Sequence, residues 1–121
     1  MHDLVAGIAR TFRVEGELRM TDSCSACIND DSMADLVRRV GQRVIGADNV
    51  LSNMRTLAAD DMSAFLEAVP GCYFFVGGAN HERKLDSPHH SPTFDFDEHA
   101  LDIGVDMLTS VTLEFLSKQH V

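Results

Sequence analysis

The chain has 121 residues and a net charge of −9, from 19 acidic against 10 basic side chains. A surplus of that sign repels phosphate backbones, and no basic patch with interleaved aromatics is present, which argues against nucleic acid as a partner. Apolar residues at 45% and charged ones at 24% suit one soluble domain with a modest core, and no apolar run approaches the roughly 18 residues that cross a bilayer.

The N-terminal stretch MHDLVAGIARTF lacks the basic start, long apolar run and small-residue cleavage site of a signal peptide, so a cytoplasmic chain is expected. Within it, Leu4, Val5, Ile8, Ala9 and Phe12 recur at the spacing of one helical face, which predicts a helix over 3–12. A short strand is expected at 17–20 after a turn at Gly16. The polar connection TDSCSACINDD follows, and its change of composition marks a boundary between two packing units. Cys24 and Cys27 have the spacing of a zinc knuckle or redox pair, but a structural zinc site takes four ligands and no second pair exists. Together with Cys72 they read as reduced thiols.

Ser32 with Asp35 resembles a capping box, opening a helix with Met33, Leu36, Val37, Val40, Val44 and Ile45 on one stripe and Gly46 at its end. Val50 and Leu51 suit a short strand. Asp60 and Asp61 begin another helix, apolar at Met62, Phe65, Leu66 and Val69 and stopped by Pro70-Gly71. The run Cys72-Tyr73-Phe74-Phe75-Val76 predicts a strand buried on both faces. A last helix is expected over 98–116, capped by Asp97. The alternation of helix and strand predicts the α/β class. Residues 77–93 break the periodicity. They follow directly on the buried strand, where open α/β sheets place their sites, and they hold His81, His89 and His90.

Taken together, VPGCYFFVGGAN (69–80) and PHHSPTFDFDEHALDIGVDMLTSVTLEFL (88–116) resemble the C-terminal end of the two-metal amidohydrolases. This family includes hippurate hydrolase, aminoacylase, the auxin-conjugate hydrolases and carboxypeptidase G. The segment TLAADDMSAFLEAVPG (56–71) is similar to the family's Gly-rich segment before that strand. Here Ala58-Ala59, Asp60 and Met62 replace the usual glycine pair, glutamate and phenylalanine. IND (28–30), the helix over 35–50 and residues 4–20 fit the same pattern.

The resemblance implies the C-terminal part of a mixed-sheet, zinc-peptidase-like catalytic domain at 27–121. Residues 1–26 would be the last helix and strand of an inserted lid, or dimerisation, domain. The cofactor implied is zinc or another divalent metal, with two ions in the complete enzyme, and the substrate a small N-acyl amino acid or amide. Most metal ligands and the general-base glutamate come from the family's N-terminal half, and the position of Met1 within the lid helix suggests truncation. By register the one ligand here is His90, the histidine of the His-Ser-Pro motif.

The chemistry agrees that one ligand is not enough. Metal-assisted hydrolysis needs about three protein ligands per zinc, an open position for water and a base within reach of it. The sequence holds no His-Glu-x-x-His helix. His89 and His90 would point to opposite sides of an extended chain. Asp60, Asp61 and Gly78 could edge a substrate pocket, while the plainer reading gives the two acids to the helix start and the glycine to a turn. His81, His99 and His120 read as solvated.

The expectation is therefore part of a metal-dependent amidohydrolase, inactive alone, with a complementary N-terminal half or self-association as partner. The alternative is a non-catalytic interaction or metal-binding α/β module.

Overall fold

The computed structural model describes residues 1–21 and 24–118. In chain order these form α1 (His2–Phe12), α2 (Asp31–Val44), a single 3-10 turn at Ala47–Asn49, α3 (Met62–Ala68) and α4 (His99–Ser117). All four α-helices lie where the apolar periodicity places them.

Packing centres on α2 and α4. Leu36 and Val40 from one helix and Met107 from the other are buried, and Met33, Val37, Val44, Phe74, Ile103 and Val111 close around them. Gly41 allows the close approach: a Cβ there would lie 3.3 Å from Val50 Cγ2 and 3.6 Å from Met107 Cε. Charge seals the rim of this seam. Glu114 on α4 accepts from Arg43 on α2 at 2.8 Å, with Lys118 at 3.5 Å and Arg39 at 3.8 Å. The hydrogen bond from Arg43, and then its charge and that of Lys118, hold the Glu114 carboxyl below its ordinary range.

The start of α2 differs from the expected Ser32–Asp35 box. Asp30 is the cap: its extended backbone leaves the carboxylate free to accept from Met33 N–H at 3.0 Å and from the Ser32 hydroxyl at 2.5 Å. Ser32 already lies inside the first turn, and Asp35 pairs with Arg38 instead. The Ser32 and Met33 bonds keep the Asp30 carboxyl ionised to lower pH than usual. Gly46, at φ 85, follows the helix end as expected.

The expected strands at 17–20, 50–51 and 72–76 form no ladder. Among the described residues, β pairing is limited to one antiparallel bridge between Asn80 and Leu85. A strand is defined by a neighbouring backbone, and where 72–76 needs one the side chain of Asn29 stands instead: its carboxamide receives Tyr73 N–H at 2.8 Å and donates to Tyr73 C=O at 2.9 Å. The α/β alternation predicted from the sequence is thus seen as helices with extended connections. Likewise the reversal expected at Gly16 occurs at Arg13, whose left-handed φ of 53 ends α1 while Val14 N–H bonds back to Ala9 C=O at 3.0 Å.

Among the described residues α1 and α3 pack on no other helix. Leu4, Ile8 and Phe12 on α1 stay exposed, as do Leu101, Val105 and Leu108 on the side of α4 away from α2. No helix among the described residues is long and apolar enough to cross a membrane.

Because among the described residues three apolar side chains make up the buried core, Met107→Ala is expected to cost about 2–5 kcal/mol. Val105→Ala, on the open side of the same helix, should stay within about 0.5 kcal/mol. Urea unfolding followed by helical circular dichroism checks both.

Candidate functional site

The segment after the extended run is an ordered loop built on two anchors. Asn80 and Leu85 exchange backbone bonds at 2.8 and 2.9 Å across a four-residue turn, His81–Lys84, closed by Lys84 at φ 59. Asp97, just before α4, ties this hairpin down. Its carboxylate accepts from Asn80 Nδ2 at 2.5 Å, from Arg83 at 3.2 Å and from His99 N–H at 3.1 Å, while its own N–H donates to Gly78 C=O at 2.8 Å. The Asn80 and His99 bonds, foremost among these contacts, lower the Asp97 pKa. The cap position of α4 is Glu98, which makes no side-chain cap bond, and not Asp97 as expected; Asp97, one residue earlier, still receives the His99 N–H and holds the hairpin as well.

Gly78 is closely packed here: an added Cβ would lie 3.1 Å from Phe96 Cβ, which would have to give by a few tenths of an ångström.

The two adjacent histidines sit on a turn, not on extended chain. Ser91 N–H bonds to Pro88 C=O at 3.1 Å, and His90 takes the left-handed conformation at φ 64, one that histidine adopts more readily than most residues. Ser87, Ser91 and Thr93 link their hydroxyls at 3.0 Å beneath it. The ring of His89 stands edge-on to Phe94 at 4.6 Å, and Phe94 stacks on Phe96 at 6.3 Å. His90, with its ring 6.1 Å from that of His89, is exposed and makes no hydrogen bond among the described residues. One imidazole is engaged by its neighbour, and the other keeps both nitrogens available. His81 pairs with Asp86 at 2.8 Å and His99 with Asp102 at 3.3 Å, so both are exposed but partnered. His120 lies outside the described residues.

A second cluster forms where 71–73 meets 27–30 and the start of α3. Tyr73 Oη donates to Asp60 Oδ2 at 3.0 Å, Asp60 Oδ1 accepts from Met62 N–H at 2.9 Å, and Cys27 Sγ lies 3.5 Å from Asp60 C=O. The bond to Asp60 raises the Tyr73 pKa, because a phenolate would face a carboxylate. Burial raises that of the neighbouring Cys72 thiol. Asp60 thus serves the helix start, as the plainer reading had it, and also a tyrosine. Asp61 makes no such side-chain bond. It is exposed and lines a polar cleft of about 710 Å³ with Thr21, Cys24, Ser25, Ser63, Ala64 and Glu67.

The structure does not bring these candidates together. Among the described residues no hydrogen bond or ring contact joins the His90 turn to Asp60, Asp61 or Gly78. No group of three or more His, Cys, Asp and Glu side chains among them is arranged to hold a metal ion. The donors described here do not by themselves fit a metal centre.

Asn29 and Tyr73 are the anchoring pair that periodicity misses. They are 44 residues apart, and nothing local in either segment announces a carboxamide standing in for a strand.

Comparison with known proteins adds an independent finding. The profile of peptidase family M20/M25/M40 matches residues 7–114. The chain is 28% identical over 119 residues to thermostable carboxypeptidase 2 of Saccharolobus solfataricus, covering 98% of this chain and 30% of that protein. It is 27% identical over 89 residues to the IAA-amino acid hydrolase ILR1-like 4 of Arabidopsis thaliana, covering 74% and 20%. With a probable hydrolase of Synechocystis it shares 26% over 118 residues, covering 97% and 29%. The chain therefore spans less than a third of the length of these relatives. No solved structure gives a significant match.

Tyr73 is the single tyrosine of the chain, which makes its titration directly visible. Its folded pKa is raised, so the stability it contributes is complete below the unfolded value of about 10 and is lost as pH rises through the folded value. Phenolate absorbance should appear above the ordinary tyrosine range in the native chain. In Asp60→Asn it should move back towards that range.

Proposed function

Since this chain belongs to peptidase family M20/M25/M40, we propose that it forms the C-terminal portion of a metal-dependent amidohydrolase acting on N-acyl amino acids or similar small amides. Peptidases of this family depend on metal ions, and the named relatives are hydrolases. In this reading 27–121 belongs to the catalytic α/β domain and 1–26 to the lid. His90 supplies one metal ligand, zinc or another divalent ion, and Asp60, Asp61 and Gly78 border the substrate pocket. The remaining ligands and the general base come from a complementary N-terminal polypeptide.

The observation that carries the reading is the profile match over 7–114, joined to the state of His90. An exposed imidazole on an anchored turn, with no hydrogen bond among the described residues, is in the condition a ligand needs. The neutral ring must offer a lone pair, and a ring already spent on another partner cannot. The open apolar faces add support. Leu101, Val105 and Leu108 form a second stripe on α4, and an amphipathic helix that is apolar on two sides is made to be covered on both.

A bound divalent ion would polarise the scissile carbonyl and activate water. What the chain's own residues contribute is position. The Ser87–Ser91–Thr93 hydroxyls and the Asp97 anchor fix the loop, and Phe94 holds the ring of His89 edge-on.

The isolated chain, supplied with zinc, manganese or cobalt, should show no hydrolysis of N-acyl amino acids. Joined or co-expressed with a polypeptide carrying the family's other ligands, it should turn them over. There His90→Ala should lower kcat/KM by at least roughly a hundredfold, as loss of a metal ligand exceeds loss of an outer contact. His89→Ala should cost far less. Turnover by the isolated chain that survives purification and vanishes on chelation would contradict the reading.

A further inference from the structure

Two Ser-Pro steps, Ser87-Pro88 and Ser91-Pro92, frame the histidine turn. Proline has no N–H to give, so the segment has few main-chain donors with which to hold itself. Two backbone bonds are made there. Ser91 N–H donates to Pro88 C=O at 3.1 Å and Phe94 N–H to Ser91 C=O at 3.0 Å, closing successive four-residue turns that share Ser91. In the first of them His90 stands third, with φ 64. A positive φ at that position ordinarily calls for glycine. For a residue with a side chain it costs energy, and it lasts only where the surroundings hold it. Arg13 and Lys84, the other non-glycine residues at positive φ, each finish an element: Arg13 ends α1, and Lys84 closes the Asn80–Leu85 hairpin. His90 finishes none.

What holds His90 is a set of hydroxyls. Thr93 Oγ1 lies 3.0 Å from Ser87 Oγ and 3.0 Å from Ser91 Oγ, and Thr93 N–H donates to Ser91 Oγ at 3.2 Å. A threonine hydroxyl has one proton, so it donates to one serine and accepts from the other. The two serines stand before and after the histidines and are half-buried, while Thr93 is exposed. The Thr93 oxygen therefore joins the entry of the strained turn to its exit. Among the described residues, no other side-chain hydrogen bond within 87–94 crosses His90.

We propose that Thr93 is a positioning residue for His90: its hydroxyl clasps Ser87 to Ser91 and so keeps the strained turn from which the imidazole projects. The inference deepens the hydrolase reading and rests on it for the duty of His90 as a ligand. A ligand already in place has less freedom to lose when an ion arrives, so a residue that fixes the turn adds affinity without touching the ion. Valine has nearly the shape of threonine and neither donor nor acceptor, so Thr93→Val removes both hydroxyl bonds at once. Thr93→Ser keeps both.

The test has two arms. In the first, the full chain is followed by NMR. Thr93→Val should weaken the intraresidue HN–Hα NOE of His90, which is strong at positive φ, and speed exchange of the Ser91 and Phe94 amides roughly fivefold or more. Thr93→Ser should leave both within about twofold of the native chain. The helical signal and urea midpoint should not move in either variant, since Thr93 is exposed and lies outside the α2–α4 core. In the second arm, the chain is joined to a polypeptide carrying the other ligands, and zinc is the probe. Thr93→Val should raise the zinc dissociation constant roughly tenfold with KM unchanged, and Thr93→Ser should restore it. A His90 turn that keeps its NOE in Thr93→Val would overturn the inference, as would valine and serine variants that behave alike. Zinc affinity that falls with His90→Ala but not with Thr93→Val would overturn it too, leaving the hydrolase reading intact. Zinc affinity untouched by His90→Ala would sink that reading and the inference with it.

Discussion

Met107 of α4 is buried with Leu36 and Val40 of α2, against the gap left by Gly41, and the rest of the molecule is positioned from this contact. Phe74 packs on the same cluster, which fixes the extended run against the helix pair. The residues just before α2, Asn29 and Asp30, then hold the main chain at Tyr73 and Gly71. Asp97, two residues before α4, holds it at Gly78 and Asn80. A loop secured near both ends by helix starts is one whose geometry follows from helix packing. His90 is carried on that loop.

The same arrangement leaves much apolar surface open. Fully burying a side chain such as leucine or phenylalanine contributes about 1.5–3 kcal/mol, and the chain does so at few positions. Leu4, Ile8 and Phe12 on α1, Phe65 on α3, Phe75 in the run and the outer stripe of α4 stay more than half exposed. A helix such as α4, apolar on two faces, belongs to the middle of a layered protein. Charge compensates for solubility: acids outnumber bases, and ion pairs such as Arg43–Glu114 rim the core.

Helices were legible because their signal is local. The stripe Met33, Leu36, Val37, Val40, Val44 specifies α2 with little help from elsewhere, and the Asp60-Asp61 start and Pro70-Gly71 stop bound α3. The cap of α2 was misplaced by two residues, since Ser32 and Asp30 are both good caps and only backbone geometry decides between them. Strands are another matter. Cys72–Val76 has the composition of a buried strand, but strand character resides in a partner, and the partner present is one carboxamide. The hairpin over 80–85 carries no turn signature in its sequence, because its loop, His-Glu-Arg-Lys, contains neither glycine nor asparagine, and Lys84 takes the left-handed position instead.

Of the site, the pattern singled out His90 over His89 by family register. The structure adds a physical difference between them: His89 is edge-on to Phe94, and His90, though its ring lies 6.1 Å from that of His89, makes no hydrogen bond among the described residues. The grouping of Asp60 with Tyr73 could not be read from sequence, as it depends on how 60–62 folds onto a run thirteen residues later. The most direct test of the account is calorimetric titration of the isolated chain with zinc. A solitary imidazole predicts weak, non-saturating uptake that differs little between the native chain and His90→Ala. Tight, stoichiometric binding lost on that substitution would contradict it, since it would mean that this polypeptide assembles a metal centre from its own side chains.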